Sequence, residues 1–327
     1  MLSIPSSRIT FAFMSAVLLL AYRRWGNLDL ILDECRFAGI DRIYIHIDCG
    51  TSVEEIEDVA RTIEKAIAYR QQWGIDIRVA TQSENVGCAV SMIQSLDKIF
   101  LFEKQIVVLE DDCIPTPDFF HFIDESFREM ESNAQIGIAC GAQFAPLGIT
   151  QDRWLLSRYP FNWGWGITKS QWALLSSRMV KRDKLKHFDN QISREEATYW
   201  NAGSRRALDG YTDVWDTLLV REMIRHKLLS ILPGNNLVRN VGNDAHALHT
   251  NGEQLWTNFQ TGNFTDAKST PMFNFQFDKW ARLQFFRISR SHLLSTRIRW
   301  VLDQVVTKPK RKPLHERIQY VSVDFNL

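Results

Sequence analysis

Three consecutive carboxylates, Glu110, Asp111 and Asp112, directly follow the short apolar segment 106–109 (IVVL). Negative charges packed together at the end of a buried strand cost several kcal/mol through repulsion and desolvation unless a cation lies beside them. Carboxylate oxygens suit Mg2+ or Mn2+, which take their remaining ligands from water or a diphosphate. The alternative is a solvated acidic loop, which requires no apolar strand before it. The triplet therefore predicts a divalent metal site.

Three single acids are further candidates for binding or proton transfer. Asp48 ends the alternating segment 42–48 (RIYIHID), where its carboxylate can accept hydrogen bonds from hydroxyl or imide donors. Capping of the helix that follows explains Asp48 nearly as well. Asp213 and Asp216 open another predicted helix, and the helix dipole favours acids in that position, so capping explains Asp213 as well as chemistry does.

Alternating strands and helices must position these acids. Apolar periodicity, a capping sequence at 52–55 and glycines after the helical patterns predict strands and helices in turn along the first half of the chain. The expected strands are a buried first strand within 9–21, then 42–48, 75–79, 106–109, 136–140 and 228–232, and the expected helices are 28–39, 52–73, 88–102, 117–130, 168–178 and 214–226. This order predicts an α/β fold with a mostly parallel sheet, helices on both faces and ligands beyond the carboxyl ends of the strands.

The helix that begins at Ser52 carries a specific packing prediction. Val53, Ile56, Ile63 and Ile67 are expected to form its apolar face.

Composition excludes several classes of protein. With 327 residues, 45% hydrophobic residues, 24% charged residues and a net charge of +1, the chain is neither disordered nor collagen-like, and it needs no disulfides to form a core. The five cysteines show no CxxC spacing and are expected to be reduced thiols, which indicates a cytoplasmic protein. The apolar run 9–21 is too short to span a bilayer, and it lacks the small-residue cleavage site of a signal peptide.

The C-terminal region is strongly basic. Between Arg282 and Arg317 there are ten basic residues and two acidic ones, and the apolar residues lie roughly on one side of a predicted helix. Binding to an anionic membrane surface at the cytoplasmic face is one hypothesis. A helix packed on the rest of the protein is the equal alternative, and the lack of a recognition motif argues against nucleic acid as a partner.

Six features follow one another along the chain: LLLAYR at 18–23, Asp48, NVGC at 85–88, VLEDD at 108–112, PDFF at 117–120 and NWGWG at 162–166. Taken in order, they resemble the motifs of the GT-A nucleotide-sugar glycosyltransferases, and in particular those of the N-acetylglucosaminyltransferase I group with its bacterial relatives. The resemblance covers about residues 14–250. The resemblance implies a GT-A (Rossmann-like) fold and a nucleotide-sugar donor.

The resemblance also implies roles for individual residues. Asp112 is expected to bind the metal, while Glu110 and Asp111 contact the ribose and the donor sugar. The donor nucleotide is expected to contact the residues that follow the first three strands, although Asn-x-Gly is also a plain turn sequence. These expected contacts are Ala21, Tyr22, Arg23, Asp48, Asn85 and Gly87.

Further roles concern the acceptor half. Asp216 is the expected base, because its spacing of 17 residues to Pro233 matches that of the catalytic Asp in the family, and Asp213 is the reserve. His249 is expected as a second metal ligand in preference to His246, with a structural histidine as the alternative.

A tryptophan-glycine motif completes the candidate site. Trp163 and Trp165 could form a stacking platform for the sugar, with Gly164 admitting the donor. The competing interpretation places the tryptophans in the core.

The expected function is transfer of N-acetylglucosamine or another hexose from a UDP-sugar, with Mn2+ or Mg2+, to a glycan or lipid-linked glycan in polysaccharide biosynthesis. A nucleotidyltransferase and a non-catalytic sugar-nucleotide binding module are the alternatives. The expected catalytic domain is 1–255, divided near residue 140 into a nucleotide half and an acceptor half, with 256–327 as a basic extension.

Overall fold

A computed structural model shows the positions of most of the chain. The described residues are 15–150, 154–186, 192–242, 260–264, 270–289, 298, 307–319 and 323–325. His249, His246 and most of the basic region 290–306 lie outside the described residues.

A mixed, mostly parallel sheet forms the centre of the molecule. Its strands are β1 (Ala16–Ala21), β2 (Arg42–Ile47), β3 (Asp76–Thr81), β4 (Gln105–Glu110), β6 (Ile136–Cys140), β7 (Leu155–Ser157), β8 (Trp165–Thr168), β9 (Leu229–Leu232) and β11 (Met272–Phe273). They are ordered β11-β7-β9-β6-β8-β4-β1-β2-β3. Strands β1 to β4 are parallel neighbours, whereas β8 is antiparallel to both β4 and β6. The predicted α/β sheet is confirmed.

A second, two-stranded sheet lies beside the acidic triplet. It pairs β5 (Cys113–Pro115) with β10 (Val238–Asn240) in antiparallel register, so that Asn240 faces Cys113. This pairing brings the chain after β9 back to the end of β4.

Helices cover both faces of the large sheet. They are α1 (Leu28–Phe37), α2 (Val53–Trp73), α3 (Cys88–Ile99), α4 (Pro117–Ser132), α5 (Leu147–Thr150), α6 (Lys169–Met179), α7 (Arg194–Leu208), α8 (Asp216–Arg225), α9 (Phe275–Trp280) and α10 (Leu314–Gln319). One face packs on α1, α2 and α4 and the other on α3, α6, α7 and α8, with alternating residues of β1 contributing to the two cores.

The start of α2 agrees with the sequence, because the hydroxyl of Ser52 accepts a hydrogen bond from the Glu55 amide. The predicted apolar face of this helix is wrong at its first turn. Val53 is 76% exposed, whereas Val59 and Ala66 are buried. The helix begins beyond the carboxyl end of β2, so its first turn has little of the sheet beneath it.

The described part of the C-terminal region packs onto the rest of the protein. Phe277, Ile288 and Leu314 are fully buried in one of the two cores. Among the described residues, no helix combines the length and the apolar character needed to cross a bilayer. The five cysteines are free.

Candidate functional site

Most of the predicted site residues that the structure describes lie at one edge of the sheet. Because β1, β2, β3 and β4 are parallel, their carboxyl ends lie side by side, and the loops that leave them are neighbours. Short contacts join these loops to each other and to the segment before α8. The strand ends that the sequence analysis proposed for the site are therefore neighbours in the structure.

Carboxylates accumulate at the end of β4. Burial and the charges of Asp112 and Asp111 raise the pKa of Glu110 to about 8, and the charge of Asp216 adds to this rise. Burial and the charge of Asp111 also raise the pKa of Asp112. Burial and mutual repulsion therefore both disfavour the charged forms of Glu110 and Asp112.

Asp111 is held by the chain itself. Its carboxylate accepts hydrogen bonds from the Tyr22 amide at 2.9 Å and from Arg24 Nη1 at 3.0 Å, and its carbonyl accepts one from Asn27 Nδ2 at 2.9 Å. Arg24 Nη1 also lies 3.4 Å from Asp112 Oδ2. Asp111 therefore fixes the loop after β1 and recruits a guanidinium to the triplet.

Sequence reasoning missed Arg24. The adjacent Arg23, which it proposed for the nucleotide, instead pairs with Glu55 at 3.1 Å. The hydroxyl of Tyr22 donates to the same carboxylate at 2.9 Å, and burial with this contact raises the pKa of Tyr22 to about 12. The Ala21 carbonyl accepts a hydrogen bond from the Asp48 amide at 3.3 Å. The side chains of Tyr22 and Arg23, which were both expected to contact the nucleotide, thus bind Glu55 in the first turn of α2.

Asp48 organises the loop before α3. Its two carboxylate oxygens accept hydrogen bonds from the amides of Cys49 (2.9 Å), Val86 (2.9 Å) and Gly87 (2.7 Å). Burial raises the pKa of Asp48, and these three hydrogen bonds oppose the rise. The carboxylate therefore stabilises a turn of the protein backbone. Capping was proposed for the helix that directly follows Asp48, which is α2, whereas the turn that Asp48 stabilises lies before α3.

Asn85 and Gly87 form that turn. Asn85 Nδ2 donates to the Cys49 carbonyl at 2.6 Å. Gly87 has a φ of 85°, and a Cβ placed there would lie 2.8 Å from Cγ of Asp213. Glycine is required here because the backbone is left-handed and the Asp213 side chain approaches closely.

Asp213 and Asp216 occupy different environments. The carboxylate of Asp213 accepts a hydrogen bond from the Cys88 amide at 3.0 Å and faces Arg311 and Arg317. Asp216 begins α8 and is exposed, with Oδ1 2.6 Å from the Thr217 amide. Its charge contributes to the raised pKa of Cys88 as well as to that of Glu110.

Asp112 is the residue best placed to hold a cation. Its side chain is 19% exposed, and its Oδ1 accepts a hydrogen bond from Asn240 Nδ2 at 3.3 Å. Within the ranges that the structure describes, no three His, Cys, Asp or Glu side chains are grouped to hold a metal. Proteins commonly bind Mg2+ through one or two carboxylates together with substrate phosphates. Neighbouring carboxylate oxygens whose charges oppose one another fit a cation whose coordination is completed by a bound diphosphate.

The tryptophan motif corrects part of the sequence interpretation. Trp165 belongs to β8, is fully buried and stacks on Trp215 at 5.2 Å, so it lies in the core rather than in a sugar-binding loop. Trp163 is half-buried and contacts Phe144 edge to face at 4.9 Å. Gly164 is required by packing, because a Cβ would lie 2.8 Å from Val238 Cγ2.

Comparisons with known proteins give weak similarities. No family model matches the chain, and no curated protein does. A mannosyltransferase from Pyrobaculum calidifontis, solved with GDP-Man and Mn2+, is 11% identical with a TM-score of 0.34, and the match covers 57% of this chain and 51% of that one. The 4-diphosphocytidyl-2C-methyl-D-erythritol synthase from Anaerococcus prevotii is 13% identical with a TM-score of 0.35, covering 53% and 80%.

Glucosyl-3-phosphoglycerate synthase from Mycobacterium tuberculosis, solved with Mg2+ and UDP, is 14% identical with a TM-score of 0.31, covering 50% of this chain and 58% of that one. The chain thus spans about half the length of the mannosyltransferase that it matches. These similar structures are glycosyltransferases and a nucleotidyltransferase, and such low identities and TM-scores do not assign the chain to either family.

Proposed function

We propose that this protein is a metal-dependent glycosyltransferase of the GT-A type, related to the N-acetylglucosaminyltransferase I group. It moves N-acetylglucosamine or another hexose from a UDP-sugar to a glycan or lipid-linked glycan. One observation carries the proposal. The triplet at the end of β4 and the exposed carboxylate of Asp216 share one edge of the sheet, where the charge of Asp216 raises the pKa of Glu110.

Asp112 is proposed to hold Mn2+ or Mg2+, which would neutralise the diphosphate leaving group. Asp111 and Arg24 keep the loop after β1 against the triplet, and Asn240 orients the Asp112 carboxylate. His249 remains a proposed second ligand.

Asp216 is proposed to remove the proton from the acceptor hydroxyl as that oxygen attacks the anomeric carbon, which inverts the configuration. Asp213 is the weaker candidate because its two oxygens are already engaged by a backbone amide and two guanidinium groups. A base must be reachable by the acceptor hydroxyl, and Asp216 is the exposed residue of the two.

Cytoplasmic location, with contact between the basic region and the inner face of the membrane, belongs to the same proposal. So does the division into a catalytic domain, 1–255, and an extension, 256–327.

Donor binding tests the proposal directly. Calorimetry with UDP-N-acetylglucosamine, UDP-glucose, UDP-galactose and GDP-mannose, with and without Mn2+, is compared for the wild type, Asp112→Asn and the exposed control Glu131→Gln. We expect metal-dependent binding of one UDP-sugar that the control retains and Asp112→Asn loses. Absence of binding by every nucleotide sugar to the folded wild type would refute the transferase.

Turnover tests the base. Asp216→Asn is expected to lower kcat about 100- to 10,000-fold, the range for loss of a general base, with little change in donor affinity. Asp213→Asn is the matched comparison and is expected to lower kcat less. Product analysis by NMR should show inversion at the anomeric carbon, and retention would exclude direct displacement. Diphosphate release from a nucleoside triphosphate and a sugar phosphate would indicate the nucleotidyltransferase instead.

A further inference from the structure

The C-terminal segment 307–319 lies against the loops of the candidate site. The amides of Lys310 and Arg311 donate to the carbonyl of Gly210 at 3.0 and 3.2 Å. Gly210 has a φ of 82°, and a Cβ there would lie 2.9 Å from the carbonyl carbon of Arg311. The backbone after α7 is therefore shaped to admit this segment.

Two arginines of the segment converge on one carboxylate. Arg311 Nε lies 3.3 Å from Asp213 Oδ2, and Arg317 Nη1 lies 3.2 Å from Asp213 Oδ1. The same guanidinium groups also contact the turn before α3. Arg311 Nη1 donates to the Asn85 carbonyl at 3.1 Å, and Arg317 Nη1 donates to the Val86 carbonyl at 2.8 Å.

Burial makes these contacts strong ones. The side chain of Arg317 is 9% exposed and that of Asp213 is 16% exposed. Charged hydrogen bonds shielded from water are about twice as strong as neutral ones and fix geometry more tightly. The two arginines therefore hold Asp213, and with it the chain between α7 and α8, against the start of α3.

We propose that Arg311 and Arg317 are positioning residues that fix the candidate base Asp216 through Asp213. Asp213 lies three residues before Asp216, so immobilising its side chain fixes the first turn of α8. This inference rests on the proposed function. It assigns to the C-terminal region a role in assembling the acceptor side of the site, which differs from membrane binding.

Contacts elsewhere hold the segment in place without the two arginines. Leu314 is fully buried, and Gln94 Nε2 donates to the Ile318 carbonyl at 2.9 Å. Substitution of one arginine should therefore leave the segment docked and change only the position of Asp213.

The experiment uses the full chain with four single variants and one double variant. The single variants are Arg317→Met, Arg317→Lys, Asp213→Asn and the exposed control Lys312→Met, and the double variant combines Arg317→Met with Asp213→Asn. Steady-state kinetics are measured with the UDP-sugar that the wild type binds, and amide hydrogen exchange is measured at Gly87 and Cys88. We expect Arg317→Met to lower kcat about 10- to 100-fold, the effect of misplacing a catalytic group by about 1 Å, with donor KM changed less than about twofold. Arg317→Lys should recover part of the loss, and Lys312→Met should behave as the wild type.

A double-mutant cycle makes the test specific to the pair. If Arg317 acts through Asp213, Arg317→Met combined with Asp213→Asn should lower kcat no further than the more harmful single change, whereas independent effects would multiply. Wild-type kcat in Arg317→Met, or multiplicative effects in the double variant, would overturn the inference.

Hydrogen exchange separates this inference from the proposed function. In the Arg317→Met variant, the amide hydrogen of Cys88 should exchange about tenfold faster than in the wild type. The reason is that Asp213, which accepts the hydrogen bond of this amide, is no longer held by Arg317. If the wild type shows no turnover, the proposed glycosyl transfer is refuted, but faster exchange of the Cys88 amide in Arg317→Met would still support the positioning of Asp213 by Arg317. Unchanged exchange of this amide would overturn that positioning, whether or not turnover is found.

Discussion

Gly87→Ala offers the sharpest test of how the candidate site is packed. Gly87 has a φ of 85°, and an added Cβ would lie 2.8 Å from Cγ of Asp213 and 3.0 Å from Cζ of Arg311. Gly39 has nearly the same backbone, with a φ of 79°, but no atom lies within 4 Å of its added Cβ. Alanine should therefore cost the same backbone strain at Gly39 and Gly87, whereas only at Gly87 does its Cβ also clash with neighbouring atoms.

The expected magnitudes follow from these distances. Left-handed backbone costs an L-residue about 1–2 kcal/mol, which is the full expected effect of Gly39→Ala. At Gly87 the added Cβ also overlaps Asp213 Oδ2, the nearest atom, so the Asp213 carboxylate must move by more than the roughly 0.7 Å that ordinary carbon–carbon contact with its Cγ requires. That shift breaks its hydrogen bond with the Cys88 amide, and losing a hydrogen bond to a charged group costs about 1.5–3 kcal/mol. Gly87→Ala should therefore lower the free energy of unfolding by about 2.5–5 kcal/mol.

Urea denaturation of the two variants and the wild type, followed by circular dichroism, measures the difference. The midpoint should fall much further for Gly87→Ala than for Gly39→Ala, at an unchanged m-value. Equal losses of stability would refute the placement of Asp213 against Gly87, and with it the account of the site edge given above.

Three other perturbations have defined outcomes. Because the pKa of Glu110 is raised from 4.5 to about 8, the folded state binds the extra proton between these values, so stability in metal-free buffer should fall as pH rises from about 4.5 to 8, by up to about 1 kcal/mol per pH unit. Glu110→Gln should flatten that slope in urea titrations at several pH values. Asp48→Asn replaces an acceptor oxygen that faces backbone amides with a donor, and it should lower the free energy of unfolding by about 2–3 kcal/mol, measured in urea at pH 7. Trp165→Ala should cost about 3–5 kcal/mol and Trp165→Phe clearly less, since the ring is buried in the core; thermal denaturation showing near-neutral Trp165→Ala would contradict that burial.

The location of the site could be predicted from the sequence because strand ends are local features. Apolar runs, capping residues and glycines define where β2 and β4 stop, and a parallel sheet then brings Asp48 and the 110–112 triplet to one edge. Asp216 is proposed from family resemblance alone, and its charge contributes to the raised pKa of Glu110.

Side-chain partners could not be predicted in the same way. Whether Arg23 or Arg24 faces the triplet depends on the direction in which the chain leaves β1, and no periodic pattern encodes that direction. Trp165 was misplaced because its flanking glycines suggested a loop. Gly166 instead makes room for a helix, since a Cβ there would lie 2.8 Å from Cζ of Phe127 in α4. Arg311 and Arg317 contact residues more than 200 positions away, which a local reading of the sequence does not reveal.

That separation has a consequence for the order of events during synthesis. Val86 and Arg317 are 231 residues apart in the chain. At roughly 5–20 residues per second, a ribosome takes about 10 to 50 s to make the stretch between them. Strands β1 to β4 are complete long before the arginines leave the exit tunnel. The nascent protein therefore holds the loops after β1, β2 and β3 without their guanidinium partners, and the contacts of Arg317 with Val86 and Asp213 can form only after that arginine has been synthesised.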